Sequence, residues 1–150
     1  MGWGHEPVID RLAPWMQRGL AYLLDEVPAS ELRLRYRYAR VTVCPSFGEG
    51  FGFSGVEAMR CGGVVAASDL PVHREVYADA VEYFNPYSVD DMAASIRRLL
   101  APEAESRRVA LAAAGTEVAR RYLPANVLPR WSSFLERLTE SRPTATSAGC

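Results

Sequence analysis

The sequence has 150 residues, 49% of them hydrophobic and 23% charged, which is typical of one compact domain. Its longest wholly apolar runs, such as residues 109–114, are far shorter than the ~18 residues that cross a bilayer, and residues 1–11 lack the pattern of a secretory signal. The net charge of -1 at pH 7 creates no general positive field, which argues against nucleic-acid binding. We therefore expect a globular protein that is neither membrane-spanning nor secreted.

The cysteine and lysine content argues against several kinds of site. Cys44, Cys61 and Cys150 form no CxxC pair and have no histidine at ligand spacing, which argues against a disulfide framework or a zinc site and favours a reducing cytoplasm. All 17 basic residues are arginine, a bias that codon usage accounts for. The absence of lysine excludes a Walker A phosphate loop and a lysine Schiff base.

The spacing of apolar and turn residues predicts helices and strands in alternation. In the first part of the chain this spacing predicts a helix, a buried strand and a second helix, at residues 7–18, 20–24 and 30–39. Residues 30–39 also fit a half-buried strand, since leucines and tyrosines alternate with arginines there. A helix is preferred because residues 41–44 already supply a strand. A helix, a strand, a short helix and a strand follow, at residues 53–60, 64–67, 73–80 and 81–84.

The C-terminal part is predicted to be helical. Ser88 is positioned to cap an amphipathic helix with acidic residues in its first turn. The buried stripe of that helix is expected to consist of Val89, Met92, Ala93, Ile96, Leu99 and Leu100. Two more helices are expected, at about residues 104–122 and 128–140. We therefore predict a folded domain over residues 1–140 and a disordered tail over residues 141–150.

Strands that alternate with helices indicate an α/β fold, a Rossmann-like parallel sheet with flanking helices. In such sheets ligands bind beyond the carboxyl ends of the strands. The loop after Cys44 is therefore where we expect a binding site.

The segment from Pro45 to Met59 reads PSFGEGFGFSGVEAM and passes from a strand end through three glycines into a helix. Loop glycines let backbone N–H groups approach a ligand, and a helix start adds donors and a positive dipole, so the combination suits a phosphate. Glu49 and Glu57 would repel a phosphate but can accept hydrogen bonds from sugar hydroxyls displaced from it. The segment therefore predicts a site for a phosphate-linked sugar.

With these residues the chain resembles the C-terminal, donor-binding domain of the GT-B glycosyltransferases, in the large retaining group called family 4 or glycosyl transferases group 1. That group has two glutamates separated by seven residues in the setting P-S-x-x-E-G-F-G-x-x-x-x-E-A-M-x-x-G, as Glu49 and Glu57 are here. The order of the following segments also matches, at residues 61–69, 71–76, 79–80 and 83–86. The resemblance covers about residues 19–100.

The resemblance implies transfer of a hexose from a nucleotide-diphosphate sugar to a sugar or glycolipid acceptor, with retention, in polysaccharide or glycoconjugate synthesis. Glu49 would be the catalytic residue that holds the donor hexose, and Glu57 would hold the ribose. The remaining donor-binding residues would be Gly50, Phe51, Gly52, Ser54 and Gly55. The resemblance implies no metal, because the DxD motif is absent, and no cofactor besides the donor substrate. It implies a cytoplasmic enzyme, with a peripheral position at the membrane as an alternative.

Two features of the family differ or are missing here. Ser54 stands where the family often has proline. The acceptor-binding first domain and the strands that carry a basic pair for the diphosphate have no counterpart in these 150 residues. We therefore expect a partial domain, completed by a second polypeptide or by self-association, and its alternative is a non-catalytic domain that binds a nucleotide sugar or packs on a partner.

Several site residues have other interpretations. Ser54 and Glu57 fit a capping box, which needs no ligand. His73 is either a general base or a turn or interface residue, and Arg74 either approaches a phosphate or pairs with Glu75 or Asp79.

A dinucleotide-binding module is the more distant alternative. The fingerprint would consist of Gly50, Gly52 and Gly55, with Asp69 as its acidic residue. The residues Pro45 to Glu49 separate the first glycine from its strand, where the fingerprint has almost none. This spacing argues against NAD binding.

Overall fold

The computed structural model of the protein describes residues 4–140, and the predicted tail lies outside these residues. The chain divides into two compact units between Leu32 and Arg33. In the first unit, α1 (Glu6–Gln17) confirms the helix predicted at 7–18, with a proline at its start. α2 (Ala29–Tyr38), most of which belongs to the second unit, confirms the helix preferred over a strand at 30–39.

The strand predicted at residues 20–24 is wrong. The segment has no regular secondary structure, and Leu20, Tyr22, Leu23 and Leu24 are exposed. A strand needs a neighbour to complete its backbone hydrogen bonds, and within the described residues the sheet begins only at the next strand along the chain. A short apolar run without such a neighbour does not become a buried strand.

The second unit is built on a three-stranded sheet. β1 (Thr42–Cys44), β2 (Val65–Ser68) and β3 (Glu82–Phe84) lie in that order, and both pairs are parallel. Parallel neighbours need crossover connections, and the helices α3 (Phe53–Arg60) and α4 (Pro71–Tyr77) lie in the two connections. This confirms the predicted parallel sheet with flanking helices and brings the loops after the strands to one edge.

Three helices complete the described chain, α5 (Val89–Leu100), α6 (Glu105–Arg120) and α7 (Pro124–Glu140). The Ser88 hydroxyl accepts a hydrogen bond from the Asp91 backbone N–H at 3.2 Å, which confirms the predicted cap of α5. The predicted stripe is only partly correct, because Val89 is 79% exposed and Leu100 is 42% exposed.

The core of the second unit contains two hydrophobic clusters. One gathers Met59, Tyr77 and Val118 from α3, α4 and α6, and the other gathers Phe84, Leu99 and Leu111. β2 is buried along its whole length, as expected for the central strand of a covered parallel sheet. Within the described residues, no helix is long and apolar enough to cross a membrane.

Candidate functional site

The glycine loop, which we define as residues 45–52, connects β1 to α3. Its last residue, Gly52, is the N-cap of α3 and has a left-handed φ of 86°, which glycine adopts at little cost. The backbone N–H groups of the first helical turn have no partner within a helix, and they lie at the positive end of its dipole. Gly52 and Ser54 thus lie at the helix start where the sequence predicts phosphate binding.

Glu57 lies further along α3 and its side chain is exposed. Because α3 begins at Phe53, Ser54 is inside the first turn and not at the N-cap. The capping-box interpretation of Ser54 and Glu57 is therefore wrong, and Glu57 belongs to the second turn rather than the first.

Tyr36 of α2 is a neighbour of the candidate site that the sequence did not reveal. Its hydroxyl donates a hydrogen bond to Glu57 Oε2 at 3.4 Å. Burial raises the pKa of Tyr36, a hydrogen bond with the Ser54 side chain opposes this shift, and the Glu57 charge adds to it. Tyr36 thus contacts Ser54 in the first turn of α3 and Glu57 in the second. Only its place on a helical face was visible in the sequence, and many tyrosines share that feature.

Glu49 is exposed on the glycine loop, where the Ser46 hydroxyl donates a hydrogen bond to Glu49 Oε1 at 2.7 Å. Its negative charge acts on the Cys44 thiol at the buried end of β1. Burial and, secondly, the Glu49 charge raise the pKa of the Cys44 thiol to about 11. The carboxylate thus lies at the carboxyl end of β1, at the edge of the sheet where α3 begins.

The other predicted loop residues differ in their surroundings. An added Cβ at Gly48 or Gly50 would meet no atom within 4 Å, so no contact within the described structure requires glycine at these positions. The Phe51 side chain is half-buried, with its ring edge-to-face against Tyr122 at 4.9 Å. Phe51 therefore anchors the loop on the core.

His73 does not line the site. Its side chain is fully buried, and Nδ1–H donates to the Ser68 carbonyl oxygen at 2.8 Å. Its ring stacks on Tyr77 with centroids 4.8 Å apart. The general-base interpretation is wrong because a fully buried imidazole cannot reach a substrate, and the turn or interface interpretation is wrong because His73 is a core residue.

Arg74 forms a bidentate ion pair with Asp69, not with either of the predicted partners. Its Nε and Nη2 donate to the two Asp69 carboxylate oxygens at 2.7 and 2.8 Å, and its guanidinium lies 3.7 Å from the centroid of the Tyr83 ring. The hydrogen bond from Arg74 lowers the pKa of Asp69. An Asp69 carboxylate engaged in this way is not free to hold a dinucleotide ribose, which adds to the spacing argument against NAD.

Comparisons with known proteins identify the family of the chain. Residues 21–117 match the family described as glycosyl transferases group 1. The O-antigen chain mannosyltransferase RfbU of Salmonella typhimurium is 38% identical over 85 residues, covering 56% of this chain and 24% of that protein. The O-antigen chain mannosyltransferase B of Escherichia coli is 35% identical over 99 residues, covering 66% of this chain and 26% of that protein. The chain thus spans about a quarter of the length of these relatives.

The fold comparison extends over nearly all of the chain. Sucrose-phosphate synthase from Thermosynechococcus elongatus superposes with a TM-score of 0.78, covering 95% of this chain and 36% of that one, at 21% identity. At this identity the likeness concerns the fold alone. Because residues 21–117 match this family, the chain belongs to the glycosyl transferases group 1 family.

Proposed function

We propose that this chain is a donor-binding domain of a retaining, family 4 glycosyltransferase of the GT-B type. The donor is a nucleoside-diphosphate hexose and the acceptor a sugar or glycolipid, in polysaccharide or glycoconjugate synthesis in the cytoplasm. One observation carries the proposal: Glu49 and Glu57 are both exposed beside a glycine loop and a helix start at the carboxyl end of β1. Mannose is the first hexose to test, because two relatives are named mannosyltransferases.

The proposed roles follow from charge. The first turn of α3 offers backbone donors to the diphosphate, whose negative charge grows as the bond to the sugar breaks. The glutamates are anionic and therefore suit the neutral hydroxyls on either side of the diphosphate. Glu57, oriented by Tyr36, binds the ribose, and Glu49, oriented by Ser46, holds the hexose through the transfer.

We expect the two glutamates to affect two ligands differently. Glu57→Ala should weaken the binding of both the free nucleoside diphosphate and the nucleotide hexose, whereas Glu49→Ala should weaken only the hexose conjugate. Each lost contact should reduce the binding free energy by about 1.5–3 kcal/mol. Titration calorimetry with UDP, GDP and their hexose conjugates measures this directly. It also suits a chain that spans about a quarter of its relatives, because it does not depend on turnover.

The matched control is Glu103→Ala, which removes an exposed glutamate from the turn between α5 and α6. This variant should bind both ligands like the wild type. Equal binding by wild type, Glu49→Ala and Glu57→Ala would show that the two glutamates do not form the donor site.

Donor binding should not require a divalent cation, because backbone donors and the α3 dipole would hold the diphosphate. We expect the affinity for nucleoside diphosphate to be the same in EDTA and in millimolar magnesium or manganese. A strict cation requirement would contradict this mode of phosphate binding. Preference for NAD over nucleotide sugars would instead support the dinucleotide alternative.

A further inference from the structure

The Tyr77 hydroxyl contacts the start of α3 from inside the core. The Tyr77 side chain is fully buried, and its hydroxyl donates a hydrogen bond to the Gly52 carbonyl oxygen at 2.6 Å. Gly52 is the N-cap of α3 and has no side chain that could cap the helix. Tyr77 therefore supplies, from α4, a polar group that the N-cap itself lacks.

The same hydroxyl also interacts with the next part of the turn. Burial raises the pKa of Tyr77, while the Gly55 backbone N–H acts on the hydroxyl in the opposite direction. A hydroxyl donates one hydrogen bond and can accept others. The Tyr77 oxygen can thus serve both the Gly52 carbonyl and the Gly55 amide, which joins the two ends of the first turn of α3.

The Gly52 carbonyl determines where the next amide points. A trans peptide group is planar, so its C=O and N–H lie on opposite sides. Because the Gly52 carbonyl points at the buried Tyr77 hydroxyl, the Phe53 N–H must point away from the core. Phe53 and Ser54 are exposed, so this amide faces the side from which a ligand would approach.

Packing holds Tyr77 in place. A Cβ added at Gly52 would lie 2.2 Å from the Tyr77 hydroxyl oxygen, and one at Gly55 would lie 2.5 Å from the same atom. The ring is stacked on His73, which is hydrogen-bonded to the Ser68 carbonyl at the end of β2. Contacts thus connect Tyr77 to the end of β2 on one side and to the glycine loop on the other.

We propose that Tyr77 is a positioning residue for donor binding: its hydroxyl fixes the Gly52 peptide so that the Phe53 amide faces the diphosphate. The inference rests on the proposed function, because it assumes that the ligand of α3 is the donor. Glycine populates several backbone conformations with similar ease. Without the hydroxyl, the Gly52 carbonyl keeps only the intrahelical bond that an N-cap accepts, so the orientation of the Phe53 amide is less tightly fixed.

The test compares Tyr77→Phe with Tyr83→Phe. Tyr77→Phe keeps the ring and its stacking on His73 but removes the hydroxyl. Tyr83 is the matched control, because its half-buried hydroxyl also bonds to backbone carbonyls, those of His73 and Ala78, without contacting the glycine loop. Titration of GDP and UDP should show that Tyr77→Phe raises the Kd by about 3- to 10-fold, whereas Tyr83→Phe leaves it unchanged. An unchanged Kd for Tyr77→Phe, or an equal increase in both variants, would overturn the proposal.

Hydrogen exchange provides a readout that needs no ligand. The backbone amides of Gly55, which interacts with the Tyr77 hydroxyl, and of Val56, the first amide bonded within α3, should exchange faster in Tyr77→Phe than in the wild type. They should exchange at the wild-type rate in Tyr83→Phe. If the wild type binds neither nucleoside diphosphates nor nucleotide sugars, the proposed function fails, and exchange alone then decides the role of Tyr77. Equal exchange rates at these amides in wild type and Tyr77→Phe would overturn that role.

Discussion

Gly52→Ala should lower the free energy of unfolding of this chain by about 2–5 kcal/mol and abolish donor binding. Two costs add at this position. Alanine is strained at the φ of 86° that Gly52 adopts. Its Cβ would also lie 2.2 Å from the Tyr77 hydroxyl oxygen and 3.2 Å from His73 Cδ2, which belong to two fully buried side chains. Urea unfolding followed by circular dichroism measures the stability, and calorimetry measures the binding.

Gly62→Ala separates the two costs. Gly62 also has a positive φ, 78°, but a Cβ there would meet no atom within 4 Å. In this variant the free energy of unfolding should therefore fall only by the cost of the strained backbone, about 1–2 kcal/mol. Its affinity for the donor should not change. If Gly52→Ala is no less stable than Gly62→Ala, the contact between Gly52 and Tyr77 does not constrain the loop.

Local signals were sufficient for most helices and strands of the second unit. The helix at α3 follows from the residues after the glycine loop, and that of α5 from Ser88 and the acidic residues behind it. These signals act within one or two helical turns, so the sequence displays them directly. The predicted strand at 20–24 differs, because its formation depends on a neighbouring strand that no local pattern reveals.

The buried face of α5 shows the limit of apolar spacing. Ser95 is fully buried, and its hydroxyl accepts a hydrogen bond from Arg98 at 2.7 Å. Val89, at the first helical position, is exposed instead. The inward face therefore includes a polar residue and excludes an apolar one, because the contacts of each turn with the sheet decide burial.

The same limit applies to the candidate site. The residues of the motif between Pro45 and Met59 are contiguous, so they could be identified from their order. Tyr36 and Tyr77 belong to α2 and α4 and reach α3 only in the folded chain. No spacing rule connects a tyrosine 25 positions away to a glycine carbonyl. The side chains proposed to bind the donor were therefore predictable, whereas the tyrosines that contact α3 from other helices were not.

Arg108 of α6 connects that helix to the end of α5. Its side chain is only 9% exposed, and Nη1 donates to the carbonyl oxygens of Leu99 and Ala101 at 2.6 and 3.0 Å. Nη2 pairs with Glu105. The last carbonyls of a helix have no partner within it. Arg108 thus satisfies the C-terminal end of α5 from a neighbouring helix.

Arg108→Leu should lower the free energy of unfolding by about 1–3 kcal/mol, because it leaves the Leu99 carbonyl at the end of α5 without its donor. The Ala101 carbonyl keeps the hydrogen bond from the Ala104 N–H at 3.1 Å. Urea unfolding at neutral pH measures this loss. The matched control is Arg120→Ala, which removes a 62% exposed arginine paired with Glu117 on the same helix, and it should change stability by less than about 1 kcal/mol. The hydrogen-bond partners Leu99, Ala101 and Glu105 of Arg108 lie outside the glycine loop, so folded Arg108→Leu should bind the donor with wild-type affinity. Equal losses of stability in the two arginine variants would mean that water replaces Arg108 at the carbonyls, and α5 would then not depend on α6 for its C-terminal cap.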